Sequence, residues 1–266
     1  MFMHSTAILS AVIVATQAHA MDLSDVASVD VLPGWRTDSG THMAALRVRL
    51  APGWKTYWRA PGEAGIPPRF DWAGSQNIGS VAFHWPTPVV FEQNGVRTIG
   101  YKDELVLPIE LTPATPGQPI KMLSAVELGI CEDICMPVTV QINAILPATG
   151  GANPAIRAAL ADQPSSANRA GVERVTCDAQ PISDGLRLTA SLTMPALGPS
   201  EVAVVELPDE SIWVSEADTR RDGARLTAQS DLVPPSAAPF MLDRSEIRIT
   251  VIADGHAVDI RGCAGP

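Results

Sequence analysis

The chain has 266 residues, of which 46% are hydrophobic and 18% are charged, and its formal net charge at pH 7 is -10. A chain of this length and hydrophobicity can bury the core of one large or two ordinary domains. The negative charge argues against nucleic acids and anionic membrane surfaces as partners, since basic patches bind both.

Residues 1–20 have the pattern of a secretory signal peptide. Their apolar run, residues 7–15, is too short to cross a bilayer, and Ala18-His19-Ala20 places small residues at a cleavage site. No later apolar run reaches the roughly 18–20 residues of a membrane-spanning helix. We therefore expect an exported protein that begins at Met21 and is not embedded in a membrane. Its compartment should be oxidising, which in a Gram-negative bacterium means the periplasm.

Residues 21–147 are predicted to form a first β-sandwich. Short runs rich in β-branched residues alternate with turns rich in proline and glycine, which is typical of all-β domains. The predicted strands are residues 45–50, 56–59, 78–84, 105–111, 122–128 and 138–146.

Two of the four cysteines, Cys131 and Cys135, lie between the last two of these strands. Gly129 and Pro137 mark the ends of the predicted connection, so the cysteines are expected to face each other at the neck of a hairpin, within disulfide distance. A bond that closes so short a loop contributes only about 2 kcal/mol in the chain-entropy model. Three interpretations stay open: a structural staple, a redox-active pair, or a site for a soft metal such as Cu(I) or zinc.

Residues 148–171 are small and polar and predict an interdomain linker that contains one short helix, Pro154–Ala161. A second β-rich block, residues 172–266, follows the linker. Asp222-Gly223 and Asp254-Gly255 are expected to form hairpin turns in it. Its predicted strands are residues 172–177, 186–193, 202–207, 212–214, 224–230, 247–253 and 257–261.

Of the other two cysteines, Cys177 ends the first predicted strand of this second block and Cys263 follows the last one. A bond between them closes a loop of about 87 residues, for which the chain-entropy model gives about 4.6 kcal/mol. We therefore expect a structural disulfide. Pairing across the domains, to Cys131 or Cys135, is the weaker alternative because each domain should have its own core.

Several sequence motifs in the first block are specific. They are WKTYWRAPGEAGIPP at residues 54–68, FDW at 70–72, HWP at 84–86, Gly100-Tyr101, and GICEDICMP at 129–137. Together they resemble the N-terminal periplasmic domain of DsbD-type thiol:disulfide interchange proteins, and most nearly its ScsB-like branch. Over roughly residues 30–265, the resemblance implies an all-β fold with two immunoglobulin-like β-sandwich domains in tandem. Full family proteins continue with a membrane domain and a thioredoxin-like domain, so we expect this chain to be a stand-alone module.

The resemblance also implies roles for individual residues. Cys131 and Cys135 become the catalytic pair, with Cys135 as the thiol that faces the substrate and Cys131 as the one that resolves the mixed disulfide. Phe91, within residues 88–95, falls in the region of the family's cap loop. Tyr57 matches an active-site tyrosine, and Tyr101 is assigned to the same surroundings. Lys55 stands where the family pattern has a second tyrosine.

Simpler interpretations of these residues stay open. Phe91 could fill an edge of the sandwich, and Tyr57 and Tyr101 could be packing residues with satisfied hydroxyls. Arg59 and Glu63 could pair across a turn as ordinary loop structure. Glu132 and Asp133, between the two cysteines, disfavour a thiolate, so the pair is not expected to be a self-activating oxidant.

The sequence therefore predicts an exported thiol:disulfide interchange module, a component of the protein-disulfide reductase type. It would pass electrons between a thioredoxin-like or DsbD/CcdA-type membrane electron carrier and periplasmic proteins that contain disulfides. No cofactor, metal or nucleic acid is expected. A copper-binding or copper-tolerance module using the same cysteines is the alternative. A histidine would complete such a site, but the sequence ties none of His42, His84 and His256 to the pair. A plain interaction domain with a stapled hairpin is the third possibility.

Overall fold

The computed structural model describes residues 22–147 and 149–266 of the chain, and the expected signal peptide, residues 1–20, lies outside them. The protein is almost wholly β, with 52% strand and 6% helix. Its antiparallel sheets form two β-sandwich domains in tandem, which confirms the predicted fold class.

The first sandwich encloses one large hydrophobic core between two sheets. It contains one short helix and ten strands: α1 Leu23–Val26, β1 Ala27–Arg36, β2 His42–Leu50, β3 Lys55–Tyr57, β4 Arg69–Asp71, β5 Ser80–Phe83, β6 Val89–Gln93, β7 Val96–Lys102, β8 Glu104–Thr112, β9 Ile120–Cys131 and β10 Cys135–Leu146. One sheet has the order β1-β2-β8-β5. The other has the order β10-β9-β3-β7-β6, with β4 also paired to β9.

Strand β9 shows why this sheet can bury one face. Val126, Leu128 and Ile130 all belong to the core, so the residues between them point to the opposite face, as the two-residue period of a strand requires. Gly129 and Cys131 therefore lie on the outer face of the sheet. The large hydrophobic side chains of this part of β9 thus face the core, and its cysteine faces the opposite side of the sheet.

The cysteine hairpin is tighter than the sequence predicted. Strands β9 and β10 pair from Ile120 and Leu146 through to Cys131 and Cys135, so that Glu132, Asp133 and Ile134 alone connect them. The expected boundaries at Gly129 and Pro137 are wrong, since these two residues are paired within the ladder. Pro137 is tolerated there because β10 is the edge strand, where a missing N–H need not break a ladder bond.

The second sandwich has a core of its own that includes Cys177, while its Val202, Ile252 and Ala257 pack into the core cluster of the first sandwich. Its elements are β12 Arg174–Pro181, β13 Leu186–Thr193, β14 Val202–Glu206, β15 Trp213–Val214, β16 Asp218–Asp222, β17 Arg225–Val233, a 3₁₀ turn Pro235–Ala237, β18 Arg248–Ala253 and β19 His256–Arg261, preceded by α2 Pro154–Ala161 and β11 Ser165–Ser166. The sheet orders are β11-β19-β18-β14 and β12-β13-β17-β15, with β16 also on β17. Asp222-Gly223 joins β16 to β17 and Asp254-Gly255 joins β18 to β19, so both predicted hairpin turns are confirmed.

The segment expected to be a linker packs against both sandwiches. Helix α2 begins after Asn153, whose side chain accepts hydrogen bonds from the first-turn amides, as an N-cap residue does. Ile156 of this helix is fully buried in a small cluster with Leu32, Met43 and Ala45 of the first sandwich. Strand β11 then pairs in parallel with β19 of the second sandwich. These contacts anchor the connection at both of its ends.

A further contact joins the two sandwiches directly. The Arg59 guanidinium donates from Nε and Nη2 to the Glu206 carboxylate at 2.8 and 2.9 Å, and it lies 3.9 Å from the centroid of the Trp58 ring. The interpretation that Arg59 pairs with Glu63 is therefore wrong. Two hydrogen bonds in parallel fix the orientation of both side chains, so this pair adds directional contacts to the apolar packing of Val202, Ile252 and Ala257 against the first sandwich.

The structure joins Cys177 of β12 to Cys263, which follows β19, with their Cα atoms 5.6 Å apart. We predict that replacing both residues by serine lowers the free energy of unfolding by about 4–5 kcal/mol, because the open chain regains the entropy of a long loop. Chemical denaturation followed by circular dichroism measures this loss.

The matched control is the double serine variant of Cys131 and Cys135, which should lose about 2 kcal/mol or less because its loop is short. Equal losses in the two double variants would contradict the structural role of the longer bond.

Candidate redox site

The register of β9 and β10 places Cys131 directly opposite Cys135, with their Cα atoms 4.2 Å apart, and the two are joined in a disulfide. The two sulfurs have different surroundings. Cys131 is 0% exposed, whereas Cys135 is exposed. A partner arriving from solvent therefore meets the sulfur of Cys135 first.

The hydroxyl of Tyr57 contacts both sulfurs. It lies 2.9 Å from Sγ of Cys131, to which it donates, and 3.1 Å from Sγ of Cys135. Tyr57 is 2% exposed, and this burial raises the pKa of its phenol. The phenol thus keeps its proton at neutral pH and can donate a hydrogen bond to whichever sulfur carries negative charge.

Gly129 makes room for the Tyr57 ring. A Cβ atom on Gly129 would lie 2.8 Å from Cδ2 of Tyr57 and 2.7 Å from Cβ of Ile66, both closer than van der Waals contact permits. The Thr56 hydroxyl donates to the Gly129 carbonyl at 3.0 Å and ties β3 to β9 at the same level. The Tyr57 ring therefore packs directly on the backbone of Gly129 on its way to the disulfide.

Phe91 lies on strand β6, where the sequence suggested a loop, and it is partly buried. The ammonium of Lys55 lies 5.3 Å from the centroid of its ring. In the same hairpin, Nε2 of Gln93 donates to Oδ1 of Asp133 at 3.3 Å. The β6–β7 hairpin thus contacts the connection between the cysteines, and a capping role for Phe91 stays a prediction.

Tyr101 lies in the core of the first sandwich, not beside the disulfide. Its hydroxyl donates to the Pro86 carbonyl at 2.8 Å, and its ring stacks on Trp85 with centroids 6.5 Å apart. Burial raises the pKa of this phenol well above its ordinary value. Tyr101 pairs in register with Thr56, one residue before Tyr57, and the strand period sends neighbouring side chains to opposite faces. The interpretation of Tyr101 as a packing residue agrees with this placement.

Comparison with known proteins agrees with this geometry. Residues 28–147 match the family model described as the N-terminal domain of thiol:disulfide interchange protein DsbD. This part of the chain is therefore similar to a DsbD-type N-terminal domain. The crystal structure of the N-terminal periplasmic domain of ScsB from Proteus mirabilis is similar over 93% of this chain and 96% of that one, with 25% identity and a TM-score of 0.66. No curated protein matched the chain. The resemblance stated from the motifs is thereby confirmed.

The surroundings of the disulfide between Cys131 and Cys135 are mostly acidic and apolar on the solvent side. Glu132 and Asp133 are exposed, and Ile134, beside Cys135, is 75% exposed. An isolated large apolar side chain at the tip of a hairpin is available for contact with another protein.

The histidines of the copper hypothesis have other partners. His42 contacts the Pro33 carbonyl, His84 contacts Glu110, and His256 contacts the backbone of its own turn. Within residues 22–147 and 149–266, no group of three or more His, Cys, Asp or Glu side chains is placed to hold a metal ion. The copper hypothesis thus gains no support from the geometry.

We predict that Gly129→Ala destabilises the protein by about 1–3 kcal/mol, because the added methyl group must displace the Tyr57 ring or Ile66. Thermal and urea unfolding measure the change. Gly151→Ala is the control, since a Cβ at Gly151 meets nothing within 4 Å. Equal stability of the two variants would contradict the close packing of Tyr57 on Gly129.

For Phe91 we predict that substitution by alanine speeds alkylation of the reduced cysteine pair by a small iodoacetamide-type reagent. The removal of a shielding ring should open a path to Cys135. Val96→Ala is the control, because Val96 belongs to the same hairpin and is already exposed. Alkylation at the wild-type rate would remove the cap assignment.

Proposed function

We propose that this protein is a thiol:disulfide interchange module that relays electrons through Cys135 and Cys131. The observation that carries the proposal is the unequal exposure of the two sulfurs beneath a shared tyrosine hydroxyl. A staple needs no accessible sulfur, whereas stepwise exchange needs one that a partner can reach, and burial of the other directs the attack to that sulfur. The match of residues 28–147 to the DsbD N-terminal family supports the same function.

Reduction of the module proceeds in two exchanges. A partner thiolate attacks Sγ of Cys135, the bond between Cys135 and Cys131 breaks, and its electron pair leaves on Sγ of Cys131 as a thiolate that then takes a proton. The partner's second thiolate then attacks the partner sulfur of the mixed disulfide and releases Cys135 as a thiolate, which also takes a proton. The partner ends as a disulfide, and the module has gained two electrons and two protons.

Delivery of electrons runs the same chemistry in reverse. The Cys135 thiolate attacks a disulfide of the recipient, and one recipient sulfur leaves as a thiolate. The Cys131 thiolate then attacks Sγ of Cys135, which restores the internal disulfide and expels the recipient's second sulfur. Cys131 needs no access to solvent for this step, because its target is the sulfur 4 residues along the hairpin.

Tyr57 serves both directions by donating a hydrogen bond to the sulfur that carries charge. The phenol is within reach of Cys131 when that sulfur leaves and of Cys135 when that sulfur is released. A protonated donor with a fixed position lowers the free energy of each thiolate without taking part in the exchange. The exposed Ile134 beside Cys135 supplies apolar contact area for the docking partner.

The partners are of two classes. The electron donor is a thioredoxin-like domain or a DsbD/CcdA-type membrane carrier, and the recipients are periplasmic proteins with disulfides. A periplasmic location is supported by the similarity to a periplasmic domain of ScsB. Among the residues that the structure describes, no helix is long and apolar enough to cross a membrane.

Trapping tests the proposal and the roles of the two cysteines. We predict that reduced Cys131→Ser protein, mixed with an oxidised thioredoxin-fold protein, accumulates a mixed disulfide through Cys135, because no resolving thiol remains to release it. Cys135→Ser should accumulate at least tenfold less, since the sulfur of Cys131 is buried. Non-reducing electrophoresis and mass spectrometry of the linked peptides measure both.

Equal trapping by the two variants would contradict the assigned roles. Trapping by neither variant would contradict the relay itself, and tight binding of Cu(I) by the reduced wild type would then favour the copper alternative.

A further inference from the structure

Strand β3 brings a cation next to the buried cysteine. Lys55 pairs in register with Cys131, and Thr56 pairs with Ile130, in a short antiparallel ladder between β3 and β9. Residues directly opposite each other in such a ladder project to the same face, with Cβ atoms about 4.5–5.5 Å apart. The side chain of Lys55 therefore starts beside that of Cys131, on the outer face of the sheet.

The ammonium group of Lys55 is held by a contact with an aromatic ring. Its ammonium lies 5.3 Å from the centroid of Phe91, a cation–π contact that directs the charge toward the β6–β7 hairpin. Lys55 is partly buried, so its charge is less screened by solvent than that of a fully exposed lysine.

The other polar groups around the disulfide include two negative charges that oppose the effect of this cation. Glu132 and Asp133 of the connection are acidic, and the Glu132 carboxylate lies against Gly53 in the turn before β3. Tyr57 contributes a neutral donor. Lys102 of β7 is paired with Lys55 on the edge of β3 that faces away from β9, and its side chain is exposed. Lys55 is thus the one cation in the described chain whose strand position is paired with a cysteine of the disulfide.

We propose that Lys55 is a positioning residue that stabilises the Cys131 thiolate when this sulfur leaves the disulfide. This inference rests on the proposed function and adds the source of leaving-group stabilisation. A leaving thiol that is easily ionised departs faster, so a neighbouring ammonium speeds the attack of a partner on Cys135 without contacting that partner. It also offsets the two carboxylates, whose effect on a thiolate is unfavourable.

The test uses thiolate absorbance and exchange rates in the full chain. In a Cys135→Ser background, with the Cys177–Cys263 bond intact, ultraviolet absorbance against pH reports ionisation of Cys131 alone. We expect Lys55→Met to move the midpoint of this titration upward, and Lys55→Arg to leave it near the wild-type position. Lys102→Met is the matched control for loss of one positive charge, and it should leave the midpoint unchanged.

In the native pair, oxidised Lys55→Met should react with dithiothreitol roughly threefold to tenfold more slowly than its parent. Both proteins carry Phe91→Ala in this comparison, so that release of the ring from Lys55 cannot hide the effect. Circular dichroism and melting temperature establish that each variant is folded.

A titration midpoint unmoved by Lys55→Met, or moved equally by Lys102→Met, would overturn the role of Lys55 while leaving the relay intact. Failure of the relay has a different signature, because it would appear as an absence of trapping with Lys55 in place. The titration of Cys131 reports on Lys55 in either case.

Discussion

The continuous pairing of β9 with β10 is the constraint on which the site depends. Because their register is unbroken from Ile120 to Cys131, the two cysteines meet as a directly opposed pair at the last step of the ladder. A slip of one residue would send one cysteine side chain to the other face of the sheet, since the side-chain period is two. The core residues Val126, Leu128 and Ile130 prevent that slip, because it would also expose them. Burial of the core and alignment of the two cysteines are therefore enforced by the same register.

In the proposed mechanism, the neighbouring strand β3 controls the reactivity of the cysteine pair. Strand β3 is only three residues long, yet Thr56 is bonded to β9, Tyr57 reaches both sulfurs, and Lys55 flanks Cys131. The alternation of a strand divides these roles, with Thr56 on one face and its two neighbours on the other. The same rule explains why Tyr101, paired with Thr56, belongs to the core although Gly100-Tyr101 is one of the motifs that resemble the family.

The sequence predicted the parts of the fold that depend on local pattern. Strand β13 was predicted at its observed bounds, and most others within a few residues, because β-branched residues and turns mark them. Six strands were missed, namely β1, β4, β6, β7, β11 and β16. For β6 and β7 the reason is that Gly, Asn and charged residues interrupt their pattern, and their pairing comes from tertiary contacts. Contacts between distant residues were beyond local reasoning: Arg59 and Glu206 are 147 residues apart, and Tyr57 and Cys131 are 74 apart. The family resemblance placed Tyr57 near the pair, but it also placed Tyr101 there.

The two disulfides of the chain differ in how much stability the protein would lose if each were opened. This difference follows from the length of chain that each bond closes. The bond between Cys177 and Cys263 spans 86 residues and ties the start of the second sandwich to its end, so its loss frees a long stretch of the unfolded chain. The bond between Cys131 and Cys135 spans 4 residues at the end of a ladder of twelve paired residues. When it opens, the other eleven pairs still hold the two strands in register. Reduced Cys131 and Cys135 therefore stay opposite each other. The disulfide can then form again without a rearrangement of the backbone.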